Sequence, residues 1–260
     1  MNFGISTACF YPELLEKSLE HARDLGYKDI EIFFNTDSEY SDSFISYINN
    51  FLKENKMRVI SAHPFSSFAE PQYFFSDYKR RYDDGIEYYK YIFHQVAKTG
   101  CKIFQFHGAF LRQQITPELY AEIYIDLKKI ASFEGLILSQ ENVSRCLCGQ
   151  KSYIEKLKKL LGKEISFTLD LKQAGRAGED PKELAVVMRD INMVHINDST
   201  ADEDCLLPCM GKVNLLEIKN ILDGLKFDGF FMTEVYSQNY NNFSEISESK
   251  IKLKRLFEGK

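Results

Sequence analysis

The chain has 260 residues, 44% hydrophobic and 27% charged, enough for one large core or two small ones and far from the composition of a disordered segment. Lys and Arg number 33 against 38 Asp and Glu, and the only dense basic run is the short KIKLKR at 250–255. A surface that follows a nucleic-acid backbone needs a basic stripe, so nucleic acid is disfavoured as a partner and a small molecule is favoured. No apolar run approaches the roughly 18 residues of a membrane span, and the opening MNFGISTACFYPELLEKSLE lacks a cationic stretch followed by an apolar one. A cytoplasmic protein without a membrane partner is expected. The six cysteines, at 9, 101, 146, 148, 205 and 209, are scattered, and neither CxC nor CxxxC has zinc-knuckle spacing. Reduced, partly buried thiols are expected.

Along the chain one rhythm repeats: a short apolar or β-branched run, a polar turn, then a stretch of helical period. NFGIST (2–7) reads as the first strand, and PELLEKSLEHARDLG as a helix with Pro12 near its first turn and Gly26 past its last. KDIEIFF (28–34) and RVISAH (58–63) are the next strands, followed by the aromatic loop PFSSFAEPQYFF (64–75). YKRRYDDGIEYYKYIFHQVAKTG (78–100) reads as a long helix whose Tyr and Phe positions pack inward. KIFQFH (102–107), LILSQE (136–141) and SFTLD (166–170) follow, then a helix opened by Pro181 with Asp180 as its cap, then NMVHI (192–196) and FFMTE (230–234). Four strands are entered through similar turns at Gly26, Gly100, Gly135 and Gly229, which read as left-handed helix caps.

Eight such units in 260 residues, about 32 each, predict a (β/α)8 TIM barrel as a single domain over 1–260. A doubly wound open sheet would carry a GxGxxG loop after its first strand, and none is present. In a barrel the C-terminal strand ends ring one mouth. Here those ends carry Glu31, His63, His107, Glu141, Asp170, His195 and Glu234. Singly, each has an ordinary explanation: a His bonded to backbone, or a carboxylate capping the next helix. Together, Glu141, Asp170 and Glu234 would repel one another unless a cation compensates, which predicts one divalent metal ion with His195 as its nitrogen ligand. Mn²⁺, Mg²⁺, Co²⁺ and Zn²⁺ all suit that donor set. Glu141 and Glu234, on opposite sides of the ring, are placed to move a proton on carbon.

The stretches SAH (61–63), FQFHG (104–108), SQEN (139–142), LDLKQAGRAGEDP (169–181), VHINDS (194–199), LLPCMGKVN (206–214) and FFMTEVY (230–236) resemble, in order, the xylose isomerase-like barrel superfamily. That superfamily contains sugar phosphate isomerases and epimerases and endonuclease IV. The resemblance implies a metal held by Glu141, Asp170, His195 and Glu234, with the two glutamates also moving protons. It implies substrate contacts from His63, His107 and Gln173. Gln173 stands where the family reads the His of D-x-x-H, and Cys205 and Cys209 replace a His and a turn glycine. The implied activity is a metal-dependent isomerase or epimerase acting on a sugar or sugar phosphate. Gln173 and Cys205 motivate an alternative, a non-catalytic or regulatory barrel that keeps the fold. HINDS alone speaks for an endonuclease IV-like phosphodiesterase on damaged DNA, against the acidic balance and the shortage of histidines. His21 and His94 read as surface or packing residues, Lys172 as a solvated lysine at the rim in preference to a ligand for a substrate phosphate or anion, and either Arg145 or Arg176 as a contact for an anionic substrate. The aromatic loop either walls the mouth or makes a subunit contact, which leaves a homo-oligomer open.

Overall fold

The computed structural model describes residues 1–259. Eight strands, β1 (Asn2–Ser6), β2 (Asp29–Phe33), β3 (Arg58–His63), β4 (Ile103–Phe106), β5 (Ile137–Glu141), β6 (Ser166–Asp170), β7 (Ile191–Ile196) and β8 (Phe230–Thr233), form a closed barrel in sequence order. All pairings are parallel, and β8 closes on β1 through Asn2 opposite Phe230. Every predicted strand forms, with ends that differ from expectation by at most one residue. The trimmed residues include His107 and Glu234, which lie just beyond the last paired position and so project from the mouth rather than into the ladder.

Successive strand residues face opposite ways, and the barrel separates two chemistries on that basis. Phe104, Phe106, Leu138, Phe167, Leu169, Val194, Ile196 and Phe231 face outward and join the core shared with the helices. On the inner face Ile60, Ile103, Met193 and Met232 form a small separate apolar plug. Above it lie polar side chains: Gln105, His195 and Glu234, two residues beyond Ile103, Met193 and Met232, and Ser61, which follows Ile60 directly where the β2–β3 register shifts.

The helices follow the predicted signals with local corrections. Leu15–Asp24 starts after Pro12, which lies in the preceding turn. Pro181–Met188 opens on its proline, with the Asp180 carboxylate accepting from Lys182 N at 2.8 Å. Lys79–Ala97 turns Tyr89, Ile92, Phe93 and Val96 to the wall, whereas Tyr91 is exposed and donates its hydroxyl to Tyr40 O at 3.0 Å. The aromatic segment is not an open loop: it folds into the turns Phe65–Phe68 and Glu70–Tyr73 and buries Phe74 and Phe75. Gly26, Gly100 and Gly135 are left-handed, with φ of +69°, +81° and +76°. Gly229 is not, contrary to expectation; the left-handed residue of that turn is Lys226, at φ +62°. Gly229 is needed for space, because a Cβ there would lie 2.1 Å from Asn192 O. Among the described residues no helix is long and apolar enough to cross a membrane.

Candidate active site

Strand periodicity builds the mouth. Ser139 and Glu141, Thr168 and Asp170, Met193 and His195, and Met232 and Glu234 are pairs two residues apart, so each second member rises from the inner face of its strand. Ligating atoms of Glu141, Asp170, His195 and Glu234 all lie within 4.8 Å of one another, and all four residues are buried. His63, His107 and Glu141 form a second such group, which shares Glu141 with the first.

His195 is held from below. Its Nε2 lies 3.1 Å from Glu31 Oε2, an oxygen that also accepts from Ser61 Oγ at 2.8 Å and Gln105 Nε2 at 3.1 Å. Thr168 donates to Gln105 Oε1 at 2.7 Å and meets Ser139 Oγ at 2.8 Å, completing a polar layer with no solvent exposure. Sequence reasoning placed Glu31 in the ring but missed this role, for which the inward parity of residues 61, 105 and 168 is the available signal. A carboxylate that fixes one imidazole nitrogen leaves the other directed at the mouth. That other atom, His195 Nδ1, is 2.7 Å from Glu234 Oε2, 3.6 Å from Glu141 Oε1 and 3.7 Å from Asp170 Oδ2.

The electrostatics follow. Burial would push the Glu31 carboxyl up, but His195 outweighs it and holds it at about 2. Burial likewise opposes ionisation of Glu141, which His107 and His195 nevertheless hold well below the usual carboxylate range. For Asp170, Lys172 and His195 overcome burial and lower the carboxyl. Burial lowers the His195 imidazole, yet Glu31 and Glu234 raise it well above its ordinary value. Burial and the neighbouring His107 push His63 down to about 3, so it is neutral.

The donor set fits a metal ion. Asp170 Oδ2, His195 Nδ1 and Glu234 Oε2 are buried and make no hydrogen bond, although the last two are only 2.7 Å apart. Buried polar atoms that make no hydrogen bond are costly, and three converging on one point are a pattern a cation would satisfy. Asp170 also caps the helix Leu171–Arg176: its Oδ1 accepts from Gln173 N at 3.0 Å and Asn197 Nδ2 at 3.3 Å, which leaves Oδ2 for the mouth. The ordinary explanation of this residue, a helix cap, therefore holds for one oxygen and leaves the other facing the candidate site.

Several neighbours depart from expectation. Lys172 is not a solvated rim residue: it is 4% exposed, with Nζ 3.4 Å from Asp170 Oδ2, 3.7 Å from Glu234 Oε1 and 4.8 Å from the centre of the Tyr236 ring. Burial disfavours its charge, but Asp170 and Glu234 outweigh that and hold it protonated. Gln173 uses its Oε1 to accept from Ser144 N at 3.1 Å and Ser144 Oγ at 2.9 Å, tying the loop after β5 to the helix after β6. His63 and His107 meet through their Nε2 atoms at 2.7 Å, and Arg145 Nη2 lies 3.4 Å from His107 Nδ1. Arg176 pairs with Asp204 and donates to Tyr236 Oη at 2.9 Å. His94 meets Glu134 at a helix surface, and His21 packs on Phe10 and Phe243.

Two further residues position the site, Asn142 at the end of the SQEN stretch and Glu70 within the aromatic segment. Asn142 clamps β5 to β6, donating to Asp170 O at 2.9 Å and accepting from Asp170 N at 2.7 Å. Glu70 is fully buried; its Oε2 accepts from His107 N at 2.7 Å and Gly108 N at 2.8 Å, and its Oε1 from the Tyr89 hydroxyl at 2.9 Å. Burial pushes its carboxyl up to about 7 in spite of these donors. A carboxyl raised in the folded state contributes stability that is present below its unfolded value and lost as pH rises through the folded one. Between about pH 5 and pH 9, the wild type is expected to lose on the order of 2 kcal/mol relative to Glu70→Gln in urea unfolding. Parallel profiles would mean that Glu70 stays ionised throughout.

A model of the "Xylose isomerase-like TIM barrel" family matches residues 19–256. The chain belongs to that family. As a xylose isomerase-like barrel it is 23% identical to the uncharacterized protein MJ1311 of Methanocaldococcus jannaschii, over 99% of this chain and 90% of that one. Among solved structures it is similar to a D-tagatose 3-epimerase-like protein, with a TM-score of 0.81 and 19% identity, covering 99% of this chain and 97% of the other. It is also similar to an L-ribulose 3-epimerase, with a TM-score of 0.81, 15% identity and coverage of 100% and 95%. An IolI protein with a binding zinc atom gives a TM-score of 0.78 and 16% identity, covering 100% and 99%. At these identities the likeness is one of fold.

Proposed function

We propose that this barrel is a sugar isomerase or epimerase that uses one divalent metal ion held by Glu141, Asp170, His195 and Glu234, with the two glutamates moving the proton. The observation that carries this reading is the convergence of three buried atoms that make no hydrogen bond, from Asp170, His195 and Glu234, on one point beside Glu141. When bound, such an ion polarises a carbonyl and orients two neighbouring oxygens. Of the two glutamates, one takes the proton from the carbon next to the carbonyl, and the electron pair passes to the carbonyl oxygen as an enediolate. A proton returned by the same glutamate to the former carbonyl carbon, with a second proton passing between the two oxygens, gives the isomer, and a proton returned by the opposite glutamate to the other face of the original carbon gives the epimer. Burial around Glu31 and His195 keeps water from competing for these groups. His63, His107 and the amide nitrogen of Gln173 bind sugar hydroxyls in this reading. The similarity to a D-tagatose 3-epimerase-like protein and an L-ribulose 3-epimerase supports a small sugar or sugar phosphate as substrate.

A second reading, a barrel that binds its sugar without turning it over, is favoured by Gln173, whose carbonyl oxygen is already engaged by Ser144. A screen of sugars and their phosphates in D₂O with added Mn²⁺ separates the two. Deuterium on a substrate carbon is the expected result. Saturable binding of a sugar with no deuterium uptake would replace the catalytic reading by the second one.

A further inference from the structure

The four prospective ligands leave one group unexplained. Lys172 is the second residue of the helix Leu171–Arg176, a first-turn position where the helix dipole disfavours a cation, and it is buried, where desolvation disfavours it again. No hydrogen bond of the described chain engages its ammonium; its contacts are the charges of Asp170 and Glu234 and the face of Tyr236. Asp170 Oδ2, the oxygen nearest to Nζ at 3.4 Å, is also one of the three atoms without a hydrogen bond that a metal would use. The lysine and a metal ion therefore draw on the same two carboxylates.

Resting on the metal reading above, we propose that Lys172 is a positioning residue that sets the charge of the centre for a single divalent ion. The carboxylates of Glu141, Asp170 and Glu234, with that of Glu31 beneath His195, are opposed by the Lys172 ammonium, which takes one charge off the negative total that a cation meets. Without the ammonium the same groups attract any cation more strongly, and a trivalent ion gains more than a divalent one, because the repulsion that is lifted scales with the charge of the ion. At separations of 3.4 to 3.7 Å from two of the ligands, in a site sheltered from solvent, a fixed positive charge lowers cation affinity appreciably. The benefit is discrimination by charge and a bound ion held loosely enough to rearrange its ligands when a substrate oxygen arrives. A purely structural counter-ion would act the other way, because its removal would loosen Asp170 and Glu234 and weaken metal binding.

The opposite signs make the test direct. Mn²⁺ is titrated calorimetrically into the whole chain, wild type beside the neutral variants Lys172→Met and Lys172→Gln, and Tb³⁺ is titrated in parallel by luminescence. One Mn²⁺ per chain is expected throughout, with a Kd at least tenfold lower in both variants and a larger gain for Tb³⁺ than for Mn²⁺. Unchanged or weaker Mn²⁺ binding in both variants overturns the proposal while leaving the metal centre standing, as do equal gains for the two ions. Absence of Mn²⁺ binding in wild type and variants alike removes the metal reading and the proposal together. Where a variant is unfolded without metal, its thermal midpoint is read instead: a rise on adding Mn²⁺ larger than in wild type supports the proposal, and an equal or smaller rise overturns it.

Discussion

Glu141→Gln and Glu234→Gln are each expected to slow exchange of the carbon-bound proton with solvent by roughly 100-fold to 10,000-fold, the range that positioned acids and bases contribute. The amide preserves shape and removes the charge that accepts a proton. The fold should survive, because both residues stand at the strand ends above an intact barrel, and neither pairs in the ladder beyond its own strand terminus. For Glu141 the expectation has an electrostatic basis: His107 and His195 hold its carboxyl well below the usual range against burial, so it is ionised and able to act as a base near neutrality. The measurement is the rate of deuterium uptake into the sugar identified by the screen, with thermal unfolding as the control on folding. Near-normal uptake in either variant would remove that residue from proton transfer and leave it a ligand or a structural group.

His195→Ala is expected to have the larger effect on the molecule as a whole. It removes the proposed nitrogen ligand, so metal affinity should fall by at least 100-fold. It also leaves Glu31 as a buried carboxylate without its imidazole, and breaking a buried pair in this way costs about 3–5 kcal/mol. Asp170→Ala separates the two effects, since it removes a proposed ligand while the pair between His195 and Glu31 remains. Elemental analysis after loading with Mn²⁺ and urea unfolding of the apo proteins report on each in turn. Metal content equal to wild type in both variants would place the ion elsewhere. The pair also has a pH signature. Glu31 is held at about 2, so the stability it gains from His195 is complete above its unfolded value and lost as pH falls through about 2. His195 is raised, so its share is present below its unfolded value and lost as pH rises through the folded one. In His195→Ala the acid limb should flatten.

Much of this protein was legible in the sequence because its determinants are local. Alternation with period two, helix stop signals and the spacing of eight units specify strands, their inward faces and barrel closure without knowledge of distant contacts. The same alternation marks Glu141, Asp170, His195 and Glu234 as inward residues at one end, and closure alone suffices to bring them together. Gly229 marks the limit of that local logic: a glycine in a turn resembles a left-handed cap, but its reason here is the carbonyl of Asn192, 37 residues away in the chain and on a neighbouring strand.

What only the tertiary structure decided are the charges and hydrogen bonds that cross the barrel. Lys172 looks like a surface lysine in any window of sequence, and becomes a buried ammonium only because β8 delivers Glu234 and Tyr236 to the side of β6. Glu31 acquires its role from His195, 164 residues later, and Glu70 acquires its own by reaching the backbone of His107 and Gly108 from the preceding loop. Gln173 is bound by Ser144 of the neighbouring loop, a contact that no feature of its own segment encodes. The physical reason is common to all four. Secondary structure depends on the order of polar and apolar residues along a few turns of chain, whereas the ionisation and orientation of a buried group depend on whichever partners the closed barrel brings within a few ångströms.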